Sequence, residues 1–345
     1  MRAIVFYTHG GPEVIEFRED IPAPQAGPGE VLVRVHYAAL NRLDDFVRAG
    51  WRGLELPFPH VLGADFSGTI AALGEGVTGW QLGQRVVANP TLWCGHCPAC
   101  ISGWDNRCDR FAIIGEHVWG AYADYVRVPA RNLISIPNGY ADDLAAAAPL
   151  VSVTAWHMLV TVGRVRPGET VLVVGSGGGV NSTAIQIARL AGATVFAVAA
   201  GAEKAEKARR LGADWAHDRI AEPEWSKAVW SATGGRGVDV VVDNVGAATI
   251  GASLRCLARG GRLLTVGGSG GYAASLPLNQ VFGKHLSIIG SMMGTQADFA
   301  AVMDRIWAGS LTPVVDRVFP LADYRLALAR MMSGEAFGKL VLRVL

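Results

Sequence analysis

A glycine-rich turn between an apolar strand and a helix constrains this chain more than any other sequence feature. Residues 171–174 are apolar, and Gly175 and three consecutive glycines at 177–179 follow them. A helical pattern runs through residues 185–190. Glycines let the backbone approach a ligand closely, and a helix N-terminus presents N–H groups that favour an anion. The turn therefore predicts a pyrophosphate-binding loop of the dinucleotide-binding type.

The sequence after the turn continues to alternate between strand and helix patterns. Apolar strand patterns occur at residues 194–199, 238–243, 262–266 and 286–289, with helical segments between most of them. Apolar strands alternating with helices are typical of a doubly wound parallel sheet with helices on both faces. We therefore predict an α/β chain with a Rossmann domain over residues 151–291.

The first 150 residues show a different rhythm. Short apolar or alternating runs at 31–37, 67–73 and 84–88 are separated by frequent glycines and prolines. This pattern predicts a small β-barrel-like domain. Beyond about residue 292 we expect two helices, near 297–307 and 324–332, and a last strand over 338–344 that returns to the first domain. The predicted first domain thus comprises residues 1–150 and 292–345.

Four cysteines in the first domain have the spacing of a metal site. Cys94, Cys97, Cys100 and Cys108 follow a C-x2-C-x2-C-x7-C pattern with turn residues between them. Four thiolates suit one zinc ion in a closed tetrahedral site, which leaves no position for a substrate. We predict one structural zinc that takes no part in the chemistry.

Composition excludes several classes of function. The chain has 345 residues, is 50% hydrophobic and 18% charged, and has a net charge of +1. A nucleic-acid partner is not expected, because such proteins usually carry a basic excess or stripe. Neither a membrane span nor a signal peptide is visible in the sequence, so the prediction is a cytoplasmic protein without a membrane partner.

The residues after the second Rossmann strand bear on the choice of cofactor. Residues 197–202 are all small, with no acid about 20 residues past the loop to bind the ribose 2′-hydroxyl of NAD. Lys204 follows closely and favours a 2′-phosphate, although a solvated helix residue is the alternative. The prediction is NADPH in preference to NADH. Asn181 replaces the third glycine of the fingerprint, so we expect a displaced helix or a side-chain cap.

Several separated motifs together resemble the medium-chain dehydrogenase/reductase superfamily over the full length. They are the segments at 63–68, 120–129, 150–156, 240–246 and 338–340, the four-cysteine lobe and the glycine loop. The resemblance implies a GroES-like β-barrel domain plus a Rossmann domain with the active site in the cleft between them. It also implies a homodimer or homotetramer.

The chain departs from the zinc alcohol dehydrogenases of this superfamily at the catalytic zinc. The positions of their three zinc ligands align with Asn41, Ala64 and Leu150. Alanine and leucine cannot bind zinc, and a catalytic zinc needs about three protein ligands. The sequence therefore predicts the structural zinc without the catalytic one. Asn41, Asp44 and Thr154 instead resemble the quinone oxidoreductase branch, which is mostly free of zinc.

These features together predict an NADPH-dependent oxidoreductase that reduces an activated C=C bond or a quinone by hydride transfer. The partner is a small conjugated carbonyl compound or a quinone. The candidate catalytic residues are Asn41, Asp44 and Thr154, by resemblance; for Asp44 and Asp65 a structural role, with the carboxylate bound to loop amides, stays open. The candidate cofactor-binding residues are Asn41, Thr154, Ser176, Gly177, Gly178, Gly179, Val180, Lys204, Asn244, Val245, Gly246 and Gly267.

Three alternatives remain open at the level of sequence. One is a zinc alcohol dehydrogenase with an atypical ligand set drawn from Asp44, His60 and Asp65. A second is a cofactor-binding protein with little catalysis. A third keeps the reductase but makes the acceptor an enoyl-CoA thioester, whose phosphates would meet the basic residues Arg42, Arg48 and Arg52.

Overall fold

The computed structural model describes all residues from 1 to 345. The chain forms two compact units. The first comprises Met1–Leu150 and Thr295–Leu345, and the second comprises Val151–Gly294.

The structure contains both strands and helices throughout. The strands are β1 (Ala3–Phe6), β2 (Glu16–Arg18), β3 (Glu30–Ala39), β4 (His60–Val61), β5 (Asp65–Leu73), β6 (Arg85–Ala88), β7 (Thr91–Leu92), β8 (Ala112–Ile113), β9 (Tyr125–Pro129), β10 (Leu133–Ser135), β11 (Thr170–Val174), β12 (Thr194–Ala199), β13 (Trp215–Asp218), β14 (Val238–Asp243), β15 (Leu257–Thr265), β16 (Ser287–Gly290), β17 (Val315–Pro320) and β18 (Lys339–Arg343). The α-helices are α1 (Arg42–Ala49), α2 (Pro98–Ile101), α3 (Asp142–Ala147), α4 (Pro149–Trp156), α5 (Gly179–Leu190), α6 (Ala202–Arg210), α7 (Trp225–Ala232), α8 (Ile250–Cys256), α9 (Leu278–Gly283), α10 (Gln296–Trp307) and α11 (Tyr324–Met332). A π-helical segment, His157–Val162, directly follows α4.

The first unit is built on a seven-stranded sheet in the order β10-β6-β5-β3-β18-β17, with β9 also paired to β3. The long strand β3 lies near the middle of this sheet. Its residues Val31, Val33 and Val35 are fully buried, which is the period-2 pattern of a strand with one face in a core. Smaller sheets of three strands (β2-β1-β4) and two strands (β7-β8) complete the unit.

The last strand of the chain lies in the sheet of this first unit. Strand β18 pairs antiparallel with β3, with Val341 opposite Ala39, and parallel with β17. On its other side β3 pairs with β5, where Ala39 lies opposite Asp65. The C-terminal strand therefore lies next to the start of α1 and close to the first residue of β5, which matters for the site below.

The second unit is a six-stranded sheet in the order β13-β12-β11-β14-β15-β16, and every neighbouring pair is parallel. Its central strand β11 is apolar and four of its five residues are buried, as expected for a strand covered on both faces. The order reverses between β12 and β14, on either side of β11. Ligands of such sheets bind outside the carboxyl ends of the strands at this reversal. The predicted α/β class with a doubly wound parallel sheet is confirmed.

None of the helices combines the length and the apolar character that a membrane-spanning helix requires.

Candidate functional site

The four cysteines of the predicted zinc site converge in the first unit. Their sulfur atoms all lie within 4.8 Å of one another, and no other group of three or more His, Cys, Asp or Glu residues in the chain brings its ligand atoms together in this way. Cys97 is the N-cap of the short helix α2, and Cys100 lies on that helix. Cys108 follows a single 3-10 turn. Local turns thus place all four thiols around one point.

Backbone amides favour the thiolate form of Cys94 and Cys97, whereas burial raises the pKa of Cys100 to about 12. The N–H groups of His96 and Cys97 donate to Cys94 Sγ at 3.5 and 3.3 Å, and those of Cys94 and Arg110 donate to Cys108 Sγ, each at 3.2 Å. Such donors stabilise the anion, so the amides of His96 and Cys97 lower the pKa of Cys94. The amides of Cys100 and Asp109 lower the pKa of Cys97 to about 6. Four closely spaced sulfurs with amide donors fit one tetrahedral zinc that holds the lobe together.

Asn41, Asp65 and Lys339 form a buried polar cluster in the same unit. Lys339 Nζ donates to Asn41 Oδ1 at 2.5 Å and to Asp65 Oδ2 at 2.8 Å, and Asn41 Nδ2 donates to the same Asp65 oxygen at 2.9 Å. The second carboxylate oxygen, Asp65 Oδ1, accepts the N–H of Leu150 at 2.7 Å. Both oxygens of Asp65 are therefore engaged by groups of this chain.

Sheet register explains why these residues meet. Because β18 runs antiparallel to β3 with Val341 opposite Ala39, Lys339 lies beside the position of Asn41, two residues further along. Asp65 lies opposite Ala39 on the other neighbouring strand. The sequence reasoning missed Lys339 as a site residue. Its only signal was its place in the terminal motif at 338–340, and its partners are about 300 residues away in sequence.

Asp44 has the structural role that the sequence left open. As the third residue of α1, its Oδ2 accepts the N–H of the N-cap residue Asn41 at 2.7 Å, a capping arrangement. The same oxygen accepts the hydroxyl of the buried Tyr122 at 2.5 Å. Burial raises the pKa of Asp44 to about 6. Asp44 is thus a buried carboxyl group that anchors Asn41, and its catalytic role stays a prediction.

The atypical zinc ligands Asp44, His60 and Asp65 are not brought together as a metal-binding group. His60 Nε2 faces the carbonyl oxygen of Gly115 at 3.1 Å, and burial lowers the pKa of His60 to about 4. The two carboxylates have the internal partners described above. The prediction that these three residues form a zinc site is therefore wrong, because their ligand atoms do not meet at one point.

Sequence reasoning also missed Glu116, a buried carboxyl group with a raised pKa. It is 5% exposed, its Oε2 atom has no hydrogen-bond partner, and burial raises its pKa to about 7. The adjacent Gly115 packs so closely on Gly63 that a Cβ at Gly115 would lie 2.7 Å from the Gly63 backbone. The loop that carries Glu116 therefore packs on the residue before Ala64, and its sequence gave no catalytic pattern.

The glycine loop of the second unit joins β11 to α5. Gly175 has a φ of +82°, a conformation that favours glycine, and a Cβ on Gly178 would meet no atom within 4 Å. Gly178 is the N-cap of α5 and provides no side-chain cap. The N–H groups at the start of this helix, from Gly179 and Val180, are thus left for an external acceptor. Ser176 is fully buried and its Oγ has no partner. This cradle fits the pyrophosphate of a dinucleotide.

The side chain of Asn181 hydrogen-bonds the end of β11 to Asn244. The sequence had predicted a displaced helix or a side-chain cap at this position. Its Nδ2 donates to the carbonyl oxygens of Val174 and Gly175, each at 2.8 Å. Its Oδ1 accepts Nδ2 of Asn244 at 2.7 Å, and Asn244 Oδ1 accepts the N–H of Val266 at 2.9 Å. Two asparagines therefore link the carboxyl ends of β11, β14 and β15. Sequence position gave no signal for this network.

The turn after β14 carries the predicted residues Val245 and Gly246. Asp243 is buried and accepts the N–H groups of Val245 and Gly246 at 2.9 and 3.1 Å, together with the hydroxyls of Thr249 and Ser253. Gly246 has a φ of +87°, and a Cβ there would lie 2.6 Å from the carbonyl oxygen of Gly271. The exposed Gly267 lies just beyond β15. All three residues are at the carboxyl edge of the sheet, and their contact with a cofactor stays a prediction.

The turn after β12 is bonded by an acid that sequence spacing did not reveal. Asp218, at the end of the neighbouring strand β13, accepts the N–H of Gly201 at 2.8 Å and that of Ile220 at 2.9 Å. These amide bonds, that of Ile220 first, lower the pKa of Asp218. Lys204 is half-buried in the first turn of α6, and Arg219 is exposed beside Asp218. One carboxylate and two cations therefore flank the expected position of the ribose.

Thr154 is buried on α4 in the second unit. Its hydroxyl lies 3.7 Å from the sulfur of Met293, and it does not bond back to a preceding helix carbonyl. Met293 has a φ of +51°, which is unusual for a residue with a side chain. The next residue, Gly294, contacts Val153 so closely that a Cβ would lie 2.7 Å from its side chain. The catalytic and cofactor-binding roles of Thr154 stay predictions.

Of the three arginines expected to meet CoA phosphates, Arg48 is unsuitable. It is 5% exposed and pairs with the buried Asp45 at 2.6 Å. Arg42 donates to the carbonyl oxygen of Met331 at 3.3 Å. Only Arg52 is exposed among them. A phosphate site built on all three is therefore wrong.

Comparison with known proteins is consistent with these features. Residues 27–138 match the family described as alcohol dehydrogenase GroES-like domain, and residues 179–308 match the family described as zinc-binding dehydrogenase. The NAD-dependent alcohol dehydrogenase of Sulfolobus acidocaldarius is 31% identical over 354 residues, covering 100% of both chains. The chain belongs to the medium-chain dehydrogenase/reductase superfamily. The predicted membership and the GroES-like plus Rossmann fold class are thereby confirmed.

Two further relatives of this dehydrogenase/reductase differ in the activity they are named for. A crystal structure of an NAD-dependent alcohol dehydrogenase has a TM-score of 0.96 and 45% identity, covering 100% of both chains. An acryloyl-coenzyme A reductase of Metallosphaera sedula is 30% identical and covers 99% of both chains. This dehydrogenase/reductase is therefore an oxidoreductase of the nicotinamide-dependent type.

Proposed function

We propose that this protein reduces an activated C=C bond or a quinone, using NADPH as hydride donor and no catalytic zinc. The acceptor is a small conjugated carbonyl compound or a quinone. The predicted zinc at Cys94, Cys97, Cys100 and Cys108 is structural in this proposal. Assembly as a homodimer or homotetramer belongs to the same proposal.

The lack of metal-ligand side chains at the positions aligned with the catalytic zinc site supports this function best. In the zinc alcohol dehydrogenases of the superfamily, the aligned positions supply three metal ligands, whereas here they are Asn41, Ala64 and Leu150. Neither alanine nor leucine has a side-chain ligand atom, and the neighbouring Asp65 is saturated by Asn41, Lys339 and the N–H of Leu150. This set of side chains supports a site without a catalytic zinc, which needs about three protein ligands.

A conjugated acceptor suits a site without a strong Lewis acid. Bound nicotinamide supplies the hydride. When the hydride adds to the β-carbon of an enone, the charge is delocalised over an enolate, so hydrogen-bond donors stabilise it more easily than a localised alkoxide. Asn41 is fixed by Asp44, Asp65 and Lys339, which would orient its amide during the reaction. Asp44, which accepts the N–H of Asn41 and whose pKa burial raises to about 6, is a candidate for supplying the proton.

A second candidate function is interconversion of an alcohol and a carbonyl compound with NAD. The 45% identical crystal structure and the Sulfolobus relative both carry that name. The acryloyl-coenzyme A reductase relative favours the conjugated acceptor instead, and extends the proposal to an enoyl thioester.

Oxidation of NADPH and NADH against a panel of acceptors distinguishes these functions. The panel contains quinones, enones, enoyl-CoA thioesters and saturated aldehydes, each tested before and after dialysis against a chelator. Turnover of the conjugated acceptors alone, unaffected by the chelator, is expected. Efficient turnover of saturated aldehydes, or prompt inactivation by the chelator, would contradict the proposal. NADPH binding without turnover of any acceptor would favour a cofactor-binding protein.

Lys204→Ala is expected to raise the KM for NADPH much more than the KM for NADH. An ammonium group that binds the 2′-phosphate contributes only to NADPH, and a charge-assisted hydrogen bond is worth about 1.5–3 kcal/mol, or roughly tenfold or more in affinity. The measurement is the ratio of kcat/KM for the two cofactors. Lys207→Ala, one turn further along α6, is the matched control. Equal effects on both cofactors would remove Lys204 from phosphate recognition.

A further inference from the structure

We propose that Asn181 and Asn244 hold the two halves of a bound dinucleotide in a fixed relative position. Their side chains connect the glycine loop, which is the expected pyrophosphate site, with the turns that follow β14 and β15. Both asparagines are positioning residues in this proposal, because they act through the backbone that they hold. The inference goes beyond the proposed function, since it concerns how the cofactor is held, whichever acceptor is reduced and whichever nicotinamide cofactor is preferred.

The first observation is that the side chain of Asn181 binds the end of a strand from the first turn of a helix. Asn181 is the third residue of α5. Its Nδ2 donates to the carbonyl oxygens of Val174 and Gly175, each at 2.8 Å, so both N–H donors of the amide have an acceptor. Asn181 is 6% exposed. Its side chain therefore fixes the start of α5 against the end of β11, where a glycine would make no such bond.

The second observation is that the hydrogen bonds continue into the other half of the sheet. Asn181 Oδ1 accepts Nδ2 of Asn244 at 2.7 Å, and Asn244 Oδ1 accepts the N–H of Val266 at 2.9 Å. The main-chain oxygen of Asn244 also accepts the N–H of Ser269 at 3.3 Å. Asn244 directly follows β14, and Val266 directly follows β15. An unbroken series of hydrogen bonds thus joins the carboxyl ends of the three neighbouring strands β11, β14 and β15.

The third observation is that the groups expected to bind the pyrophosphate depend on Asn181 for their position. The N–H groups of Gly179 and Val180 belong to the two residues directly before it in α5. At the start of the loop, the N–H of Gly175 donates to the carbonyl oxygen of Val198 at 2.9 Å. The loop is therefore held on β12 by its backbone and on β14 by the two asparagines.

The topology of the sheet explains why this link affects catalysis. A dinucleotide-binding sheet has two mononucleotide-binding halves, and the ligand lies across the carboxyl ends of the strands where the strand order reverses. In this protein the halves are β11 to β13 and β14 to β16. Asn181 belongs to the first half and Asn244 to the second. Their hydrogen bond therefore sets the distance between the two parts of the cofactor site, and hydride transfer is sensitive to a misplacement of about 1 Å.

Two variants remove the link from either side. Asn181→Gly deletes the side chain and restores the glycine of the fingerprint, whereas Asn244→Ala deletes its partner and leaves α5 unchanged. Ser182→Ala is the matched control. Ser182 lies next to Asn181, is 1% exposed, and donates its hydroxyl to the carbonyl oxygen of Gly179 within the same helix, at 3.0 Å. Its replacement removes a buried hydrogen bond and leaves the bonds to the second half of the sheet in place.

Ligand binding tests the link without any acceptor. The probes are NADPH, NADH and adenosine 5′-monophosphate, which fits one half of the site only. In both asparagine variants we expect the dissociation constant of the better-bound dinucleotide to rise about five- to tenfold, the equivalent of one lost hydrogen bond. The dissociation constant of the monophosphate should stay unchanged. Ser182→Ala should keep the wild-type ratio of the two dissociation constants, even if its thermal unfolding midpoint falls.

The rate of hydride transfer provides a second readout. It is measured in a single turnover at saturating cofactor, with any acceptor that the wild type reduces. We expect the rate to fall roughly 10- to 10²-fold in both asparagine variants, because a misplaced nicotinamide reacts slowly. The double variant Asn181→Gly with Asn244→Ala should be no slower than the slower single variant, since either substitution alone breaks the link.

The outcomes separate failure of this inference from failure of the proposed function. An unchanged ratio of dinucleotide to monophosphate affinity in Asn244→Ala overturns the link, also if Asn181→Gly does not fold. Losses that multiply in the double variant show that the two asparagines act independently, which equally overturns it. If only saturated aldehydes are reduced, yet both asparagine variants lose affinity for the dinucleotide alone, the proposed function is wrong and the link stands.

Discussion

Replacing Cys97 by alanine is expected to release the zinc and to destabilise the lobe from residue 94 to residue 108. Structural zinc binding in small domains is worth on the order of 10 kcal/mol of folding energy, and the lobe has little core of its own. Cys97 is the N-cap of α2, its thiol lies 3.5 Å from that of Cys100, and it is 8% exposed. The measurements are zinc content by mass spectrometry and the thermal unfolding midpoint.

Cys256→Ala is the matched control for this variant. Cys256 is a fully buried thiol in the second unit and is not one of the four grouped cysteines, and burial raises its pKa to about 12. Its replacement should leave a small cavity and one zinc per chain. Dinucleotide affinity should be unchanged in both variants, because the glycine loop is in the other unit. A Cys97→Ala protein that keeps its zinc and its unfolding midpoint would count against a structural metal.

Asp65→Asn is expected to lower the free energy of unfolding by about 3–5 kcal/mol, the usual cost of leaving one member of a buried ion pair without its partner. Asp65 is 0% exposed and Lys339 is 4% exposed, so water cannot replace the lost carboxylate. The substitution also weakens the acceptors for the N–H of Leu150 and the amide of Asn41. Urea denaturation at neutral pH measures the change.

The double variant Asp65→Asn with Lys339→Met is the decisive comparison. If the penalty comes from an unpaired buried charge, removal of the second charge should restore most of the lost stability. A double variant as unstable as the sum of the two single variants would show that the ion pair is not the source of the effect. Asp214→Asn, in a solvent-exposed pair with Arg189, should change stability by less than about 1 kcal/mol.

The parts of the fold that the sequence predicted depend on local patterns. The parallel sheet followed from apolar strands of β11, β12 and β14 alternating with helices, because strands buried on both faces are apolar along their length. The glycine loop and the four cysteines were also local, since each group lies within 15 consecutive residues. Local spacing therefore predicted where the loop and the thiols would be.

The cluster around Asn41 shows why the rest could not be predicted. The sequence identified Asn41, Asp44 and Asp65 as interesting positions, but it did not connect them to Lys339. That connection depends on the register between β3 and β18, with Val341 opposite Ala39. A shift by one residue would turn Lys339 to the other face of the sheet, so no pattern within either strand specifies the contact.

The hydrogen-bond network at the ends of the Rossmann strands also depends on contacts between distant segments. Asn181 was recognised only as a departure from glycine, whereas in the structure it joins Val174 and Gly175 to Asn244. The sequence did not predict Asp218 as a site residue, because it belongs to β13 and accepts a hydrogen bond from Gly201 in the turn after the neighbouring strand. The sequence by itself determined the fold class and the positions of the clustered cysteines and the glycine loop, because periodicity and short spacing specify local geometry. Only the tertiary structure decided which side chains pair across strands, because that depends on register between distant segments.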